Sequence, residues 1–238
     1  MARPSKLKRF AEMSEFSHVF EPDGQAIMRE DYMMKGCWKE KFFRNDKPLT
    51  VELGCGRGEY TVGLAEKFSE KNFLGIDVKG ARMWKGATYA LKQGLSNVGF
   101  VRSRIEFIEH IFMPGEVDEI WITFPDPQPK KETARLIHTN LLKSYQNVIR
   151  PGGYIHLKTD SRMLHEHLLF ILKHNNIPPE VATADLYLTH PDDELLSVKT
   201  YYEESFLAQG KPITYIRFKI PEGHVFTKTE YFNAQAWI

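Results

Sequence analysis

The sequence predicts an α/β protein built on a doubly wound, mostly parallel sheet that ends in an antiparallel hairpin. Three observations carry this expectation. Apolar strand-like runs alternate with helix-period segments from residue 49 to residue 174, the pattern of successive βα units. The first run, Val51-Glu52-Leu53, opens into alternating glycines, Gly54, Gly56 and Gly58, which suit a sharp strand-to-helix turn and close ligand approach. Near the end, Thr214, Ile216, Phe218 and Ile220 alternate with Ile213, Tyr215, Arg217 and Lys219, the period of a strand added in antiparallel sense.

The elements follow in order. Leu49–Leu53 is the first strand, and residues 59–68 form a helix with Tyr60, Leu64 and Phe68 on one face. Residues 73–78 and 81–91 are the second strand and helix; residues 99–101 are the third strand, with a helix near 105–111. The fourth and fifth strands span 118–124 and 154–159, each followed by a helix, over 132–149 and 161–174. Arg150-Pro151-Gly152-Gly153 stops a helix and turns the chain into the fifth strand. Beyond it, Leu186 begins a short strand, residues 191–204 form an acidic insertion with helical character, and residues 213–220 are the antiparallel strand. Residues 1–47 read as an N-terminal arm and helical extension and residues 48–238 as the main domain, with the tail after Pro221 unassigned.

A chain of 238 residues can bury a core without staples. Its two cysteines, Cys37 and Cys55, cannot make a disulfide framework, which points to a reducing compartment. No signal-like apolar region opens the chain and no window is long and apolar enough to span a bilayer, so a cytoplasmic protein without a membrane partner is expected. The formal net charge of +1 hides an asymmetry. Residues 127–175 carry eight Lys/Arg (Lys130, Lys131, Arg135, Lys143, Arg150, Lys158, Arg162, Lys173) against three acids, a balance of +5, and residues 176–210 carry one Lys against seven acids, a balance of −6. Arg3, Lys6, Lys8 and Arg9 add a basic start that reads as a mobile arm. Such stretches suit a phosphate backbone, although solvated helix faces give the same balance. His165 and His167 lie two apart on a helix, hence on different faces, and no cluster has metal-ligand spacing, so no metal is expected. Tyr32, Met33, Met34 and Trp38 read as packing residues.

The glycine turn is neither a dinucleotide fingerprint, since Glu59 stands where the third glycine is required, nor a P-loop, since no Gly-Lys-Ser/Thr follows. Glu52, two residues before the first glycine, suits a ligand with an ammonium or sulfonium group and repels one bearing phosphates. Asp77 ends the second strand where an acid can accept both hydrogen bonds of a ribose diol. Together these point to S-adenosylmethionine; a plain Gly-rich turn with two solvated acids is the alternative. In an open parallel sheet the ligand lies at the carboxyl ends of the strands. There the fourth strand leads into Phe124-Pro125-Asp126-Pro127-Gln128-Pro129-Lys130, whose three prolines fix φ, remove N–H donors and hold Asp126 in one pose.

These segments, with Gly152-Gly153-Tyr154-Ile155-His156-Leu157-Lys158-Thr159-Asp160 and Thr200-Tyr201-Tyr202-Glu203, occur in the order seen in bacterial tRNA (guanine-N7-)-methyltransferases. The chain resembles that family from about Pro48 to Phe218. The resemblance implies a Rossmann-like class I methyltransferase acting on a variable-loop guanosine. It implies S-adenosylmethionine bound through Glu52, the turn of Gly54, Gly56 and Gly58, Asp77, Arg104, Ile105 and Asp126, with Asp126 also catalytic. It further implies tRNA contacts at Lys130, Asp160, Thr200 and Glu203, and it allows a homodimer. Gln128 stands where the family often has Trp, and Arg104 where it often has an acid, so a backbone contact is expected at Arg104. Two other readings remain at this stage: a methyltransferase of a small molecule or another nucleic-acid atom, and a non-catalytic RNA-binding protein. Glu52, Asp77 and Asp126 together weigh against a dead site, and the basic stretch against a small apolar substrate.

Overall fold

The computed structural model describes residues 4–227 and 232–237, so Arg3 of the basic start lies outside the described residues. The strands are β1 (Val19–Phe20), β2 (Leu49–Leu53), β3 (Asn72–Asp77), β4 (Val98–Arg102), β5 (Val117–Thr123), β6 (Ile149–Thr159), β7 (Val181–Thr183) and β8 (Thr214–Phe218). They form one sheet in the order β1-β4-β3-β2-β5-β6-β8-β7. The first six pair in parallel; β8 runs antiparallel to both β6 and β7. From β2 the chain winds first to β3 and β4 on one side and then to β5 and β6 on the other. The strand order therefore reverses at β2, where an open α/β sheet leaves its ligand crevice.

The helices are α1 (Lys6–Glu15), α2 (Glu59–Lys67), α3 (Gly80–Gln93), α4 (Ile108–Ile111), α5 (Thr139–Val148), α6 (Arg162–His174), α7 (Leu186–Thr189) and α8 (Tyr201–Ala208). Their apolar faces cover both sides of the sheet, which is why β2 and β3 are buried at every position. One core gathers Trp38, Val51, Leu53, Ile122 and Leu168; the other gathers Tyr60, Phe73, Phe100, Trp121 and Tyr215. Among the described residues no helix is long and apolar enough to cross a membrane.

Four sequence expectations change, and the segment left unassigned finds its place. The mobile arm is instead helix α1: Ser5 caps it, Met13 is buried, and Arg9 donates to the carbonyl of Ala81 at 3.0 Å, tying it to α3. The segment before β2 also enters the sheet, because β1 pairs with β4; two residues are too few to leave a periodic signal. The strand expected from Leu186 is the short helix α7, because Asp185 caps it by accepting from the amide of Leu188 at 3.2 Å, and the strand lies earlier, at Val181–Thr183. The single helix expected over residues 132–149 is a 3-10 turn, Glu132–Ala134, followed by α5, with Arg135 turned inward between them. Finally, the unassigned tail packs: Phe226 and Phe232 are buried, and Asn175 accepts from the amide of Thr227 at 2.8 Å.

One contact ties the late insertion to the sheet. Lys158, from β6, is fully buried, and its ammonium reaches Glu203 Oε1 at 2.8 Å and the carbonyls of Leu196 and Val198 at 2.9 and 3.0 Å. Its three N–H donors thus have three acceptors. Burial lowers the pKa of this amine, and the Glu203 carboxylate opposes that shift. Glu203 is equally buried and also accepts from the Tyr187 hydroxyl and, at 3.3 Å, from the amide of Thr200. Replacing one member of a buried ion pair strands its partner. Glu203→Gln should therefore cost about 3–5 kcal/mol in a urea melt; an unchanged midpoint would show that the pair does not hold the insertion in place.

Candidate active site

The carboxyl ends of the central strands open into a cleft of about 930 Å³. Its floor is the glycine turn. Gly54, Gly56 and Gly58 all have positive φ, at 78°, 55° and 71°. At Gly58 a Cβ would also lie 2.5 Å from the Phe100 ring, so neither conformation nor space admits a side chain there. The amides of Gly54 and Cys55 bond to the carbonyl of Ile76 at 2.8 and 3.1 Å, locking the turn to β3.

Two acids frame this turn. Asp77 accepts from the Gly56 amide through Oδ2 at 2.9 Å and from the Lys79 amide through Oδ1 at 2.7 Å, and it lines the cleft. A carboxylate oxygen can accept more than one hydrogen bond, so both retain capacity toward a ligand. Glu52 also lines the cleft but is nearly wholly buried, accepting from the Thr61 amide at 2.9 Å and from the hydroxyls of Thr61 and Thr123. Burial raises its pKa, with the Thr123 and Thr61 hydrogen bonds working against the shift and Asp77 adding to it. Glu52 thus stitches the ends of β2 and β5 to the first turn of α2 while bringing a carboxylate to the cleft wall.

Arg104, Ile105, Asp126, Asp160 and Thr200 line the same cleft. Arg104 is exposed and its guanidinium turns to Glu106 at 2.9 Å. Asp160 is half-buried, and burial raises its pKa. Thr200 caps α8: its hydroxyl accepts from the Glu203 amide at 3.1 Å, and the Glu203 carboxylate returns to the Thr200 amide, a full capping box. Lys130 is exposed and does not line the cleft, and Glu203, buried against Lys158, does not line it either.

The loop bearing Asp126 is held against its own preferences. Phe124 and Gln128 both adopt left-handed backbone, φ 45° and 46°, a conformation costly for residues with side chains. Asp126 Oδ1 accepts from the Gln128 amide at 3.3 Å. The restraint comes from below: Arg135, expected on a phosphate-binding surface, is 1% exposed. Its Nε and Nη2 donate to the carbonyls of Gln128 and Pro129, both at 3.3 Å, and its Nη1 donates to His167 Nδ1 at 3.0 Å. His167 Nε2 in turn lies 3.3 Å from Glu132. The loop's prolines donate nothing, so its carbonyls need a multi-toothed cation, which a fork-shaped guanidinium supplies. Sequence reasoning missed this clamp; the available signal was a lone Arg followed by Leu136-Ile137 in a segment too irregular for one helix.

The site also meets the demands of the cofactor inferred from sequence. Gly54 and Gly56 bring backbone without Cβ atoms to the cleft wall, and the carboxylates of Glu52 and Asp77 stand beside them, a sign that suits a sulfonium. Fold and cleft together define a Rossmann-like methyltransferase that uses S-adenosylmethionine. The family model described as "Putative methyltransferase" matches residues 46–216. A tRNA (guanine-N(7)-)-methyltransferase of Bacteroides thetaiotaomicron is 47% identical over 95% of this chain and 90% of its own length. One from Christiangramia forsetii is 48% identical over 92% of this chain and 100% of its own. The chain belongs to this tRNA (guanine-N7-)-methyltransferase family. Among solved structures, a 16S rRNA methyltransferase, KamB, superposes with a TM-score of 0.57 at 13% identity, covering 76% of this chain and 92% of that one, and shares the fold.

His167 gives the clamp a pH dependence. Burial foremost, then Arg135 and His138, lower its pKa from the ordinary 6.5 to about 3. The folded state then binds fewer protons than the unfolded state below pH 6.5, so stability falls as the pH drops. Between pH 7 and 5 this ring alone should remove about 2 kcal/mol. Urea melts of the wild type and His167→Gln at both pH values test this: the variant should lose less stability on acidification, and equal losses would discharge His167.

Proposed function

We propose that the protein transfers the methyl group of S-adenosylmethionine to N7 of a guanosine in tRNA, the variable-loop guanosine, and that Asp126 is the catalytic residue. The observation that carries this reading is the convergence of the glycine turn, Asp77, the clamped Asp126 loop and Thr200 on one cleft. The names borne by relatives at 47% and 48% identity supply the substrate class.

The cofactor brings a methyl group on a positively charged sulfur, and the chain supplies position and charge. Glu52 and Asp77 set a negative floor and bind the cofactor with Gly54, Gly56 and Gly58, while Arg104 and Ile105 border it. Guanine N7 carries a lone pair and no proton, so alignment matters more than a strong base. Asp126 accepts from guanine N1–H and the exocyclic amine and favours the positive charge that grows on the methylated ring. Adenine has no N1–H to offer, so the same carboxylate selects guanine. The stiff loop fixes this carboxylate before substrate arrives, which is what preorganisation requires. Around it, Lys130 offers a mobile point charge to a phosphate, and Asp160 and Thr200 offer an acceptor and a hydroxyl to the nucleotide. Glu203 contributes by orienting Thr200 through the capping box. The enzyme works in the cytoplasm, where tRNA is found.

Two measurements test the assignment. Asp77→Ala should weaken S-adenosylmethionine by about 1.5–3 kcal/mol, the scale of a charge-assisted hydrogen bond, and unchanged calorimetric affinity would remove Asp77 from the site. Asp126→Asn keeps size but turns one acceptor into a donor facing guanine donors. Single-turnover methylation should fall roughly a hundredfold or more, with far smaller changes in cofactor and tRNA affinity. A near-normal rate with N7-methylguanosine as product would move the catalytic role to another residue, Asp160 being the next candidate.

A further inference from the structure

Four of the eight cations that the basic stretch offered to a phosphate backbone already have partners in the protein, two of them buried and two in surface ion pairs. Arg135 and Lys158 are buried, Arg150 pairs with Asp118 at 2.9 Å, and Arg162 pairs with Glu166 at 2.5 Å. Lys130, Lys131, Lys143 and Lys173 remain, and of the basic start Arg9 is tied to the carbonyl of Ala81 in α3. A polyanionic substrate needs further counter-charges close to the target base.

The α3 side of the cleft supplies them. A second cavity of about 380 Å³ shares Arg57, Arg82 and Tyr202 with the first and is completed by Ala81, Trp84 and Lys85. Three of these six residues are cationic and none is acidic. Arg82 and Lys85 are exposed and three apart near the start of α3, hence neighbours on one face. Arg82 has no side-chain hydrogen bond or ion pair among the described residues, whereas Lys85 pairs with Glu59 at 2.6 Å and Arg57 lies 3.9 Å from the same carboxylate, solvent-accessible pairs that an incoming phosphate must displace. Arg57 lies over the rings of Tyr201 and Tyr202, at 4.7 and 5.4 Å, and a stacked guanidinium keeps its in-plane donors for another partner. Tyr202 itself is 40% exposed.

The cofactor does not account for this charge. S-adenosylmethionine carries a sulfonium and an ammonium against a single carboxylate and has no phosphate, so three cations beside its cleft exceed what its one anionic group can pair with. A nucleic-acid chain entering the same cleft carries one phosphate per nucleotide. We propose that this cavity is a nucleotide subsite: Arg82 and Lys85 take the phosphate of a nucleotide flanking the target guanosine, and Tyr202 is the stacking wall for its base. The proposal rests on the tRNA reading above and deepens it. It puts phosphate contacts at the end of β3 as well as at the end of β5, so the target base enters between two anchored stretches of backbone.

The test measures binding of a tRNA transcript across a range of salt for the wild type, Arg82→Ala, Lys85→Ala, the double variant, Tyr202→Ala and Tyr202→Phe. Each lost phosphate contact should flatten the slope of log affinity against log salt by about 0.9 and weaken binding roughly eightfold near 0.1 M salt. Tyr202→Ala should weaken binding roughly tenfold with the slope unchanged, and Tyr202→Phe should restore it. Calorimetry should show that S-adenosylmethionine affinity does not fall in Arg82→Ala. If the wild type methylates the transcript but the double variant keeps its affinity and slope, the subsite is overturned and the function stands. If Arg82→Ala loses the cofactor, Arg82 serves the cofactor carboxylate and the subsite is overturned. If the wild type leaves every tRNA guanosine unmethylated, the functional reading falls first and the subsite with it.

Discussion

The buried contact between Lys158 and Glu203 is the constraint on which the architecture of the cleft depends. A segment with seven acids and one Lys has little reason to lie against a sheet whose strand ends carry further carboxylates. A single ammonium beneath it reverses that balance, because it satisfies Glu203 and two backbone carbonyls at once. Helix α8 is then delivered to the cleft by its own first turn. Thr200 reaches the lining, the Tyr201 amide donates to Glu59 at 2.9 Å, and Arg57 is pinned beneath two tyrosine rings. The pair is expensive to desolvate, and its return is geometric: it fixes where the wall of the site stands relative to β6.

A second buried polar network stiffens the same face of the sheet. His156 stacks on Trp121 with ring centroids 3.9 Å apart, and its ring nitrogens meet Glu119 at 3.0 Å and the Tyr215 hydroxyl at 2.7 Å. Burial lowers the pKa of His156, and the neighbouring Glu119 carboxylate opposes that shift. Glu119, although burial pushes it upward, is held at about 2 by His156, Lys71 and Trp121. The contact between His156 on β6 and Tyr215 on β8 ties the two strands together beside their antiparallel ladder. The outcome is a cleft of both signs, lined by Glu52, Asp77, Asp126 and Asp160 as well as by Arg57, Lys79, Arg82 and Arg104.

Much of this was legible in the sequence, and the reasons are physical. The alternation of βα units was clear because strands covered on both faces must be apolar throughout, and Leu49–Leu53 emerged with the bounds expected. The glycine turn, Asp77 and Asp126 announced themselves through residue types that only a tight turn or a stiff loop needs. The illegible parts are those in which a charge goes inward. Lys158 and Arg135 counted as surface cations because nothing local distinguishes an ammonium that will find three acceptors from one in water. Lys158 did carry a hint, directly following Ile155-His156-Leu157 in a strand covered on both sides. Asp185, as a cap, overruled the strand-like look of Leu186-Tyr187-Leu188 for an equally local reason, and β1 was too short to be seen at all.

The left-handed backbone of Phe124 and Gln128 bears on how far this site could be moved. Neither residue would choose that conformation in isolation, and the prolines between them cannot supply it. It is imposed by the guanidinium of Arg135 below and by the Lys158 carbonyl, which accepts from the Phe124 amide at 2.8 Å. A segment with a shape of its own can be grafted onto a foreign scaffold and keep its geometry. Residues 124–130 cannot: transplanted without Arg135, His167 and the end of β6, they would carry the letters of the Asp126 loop and leave its form behind.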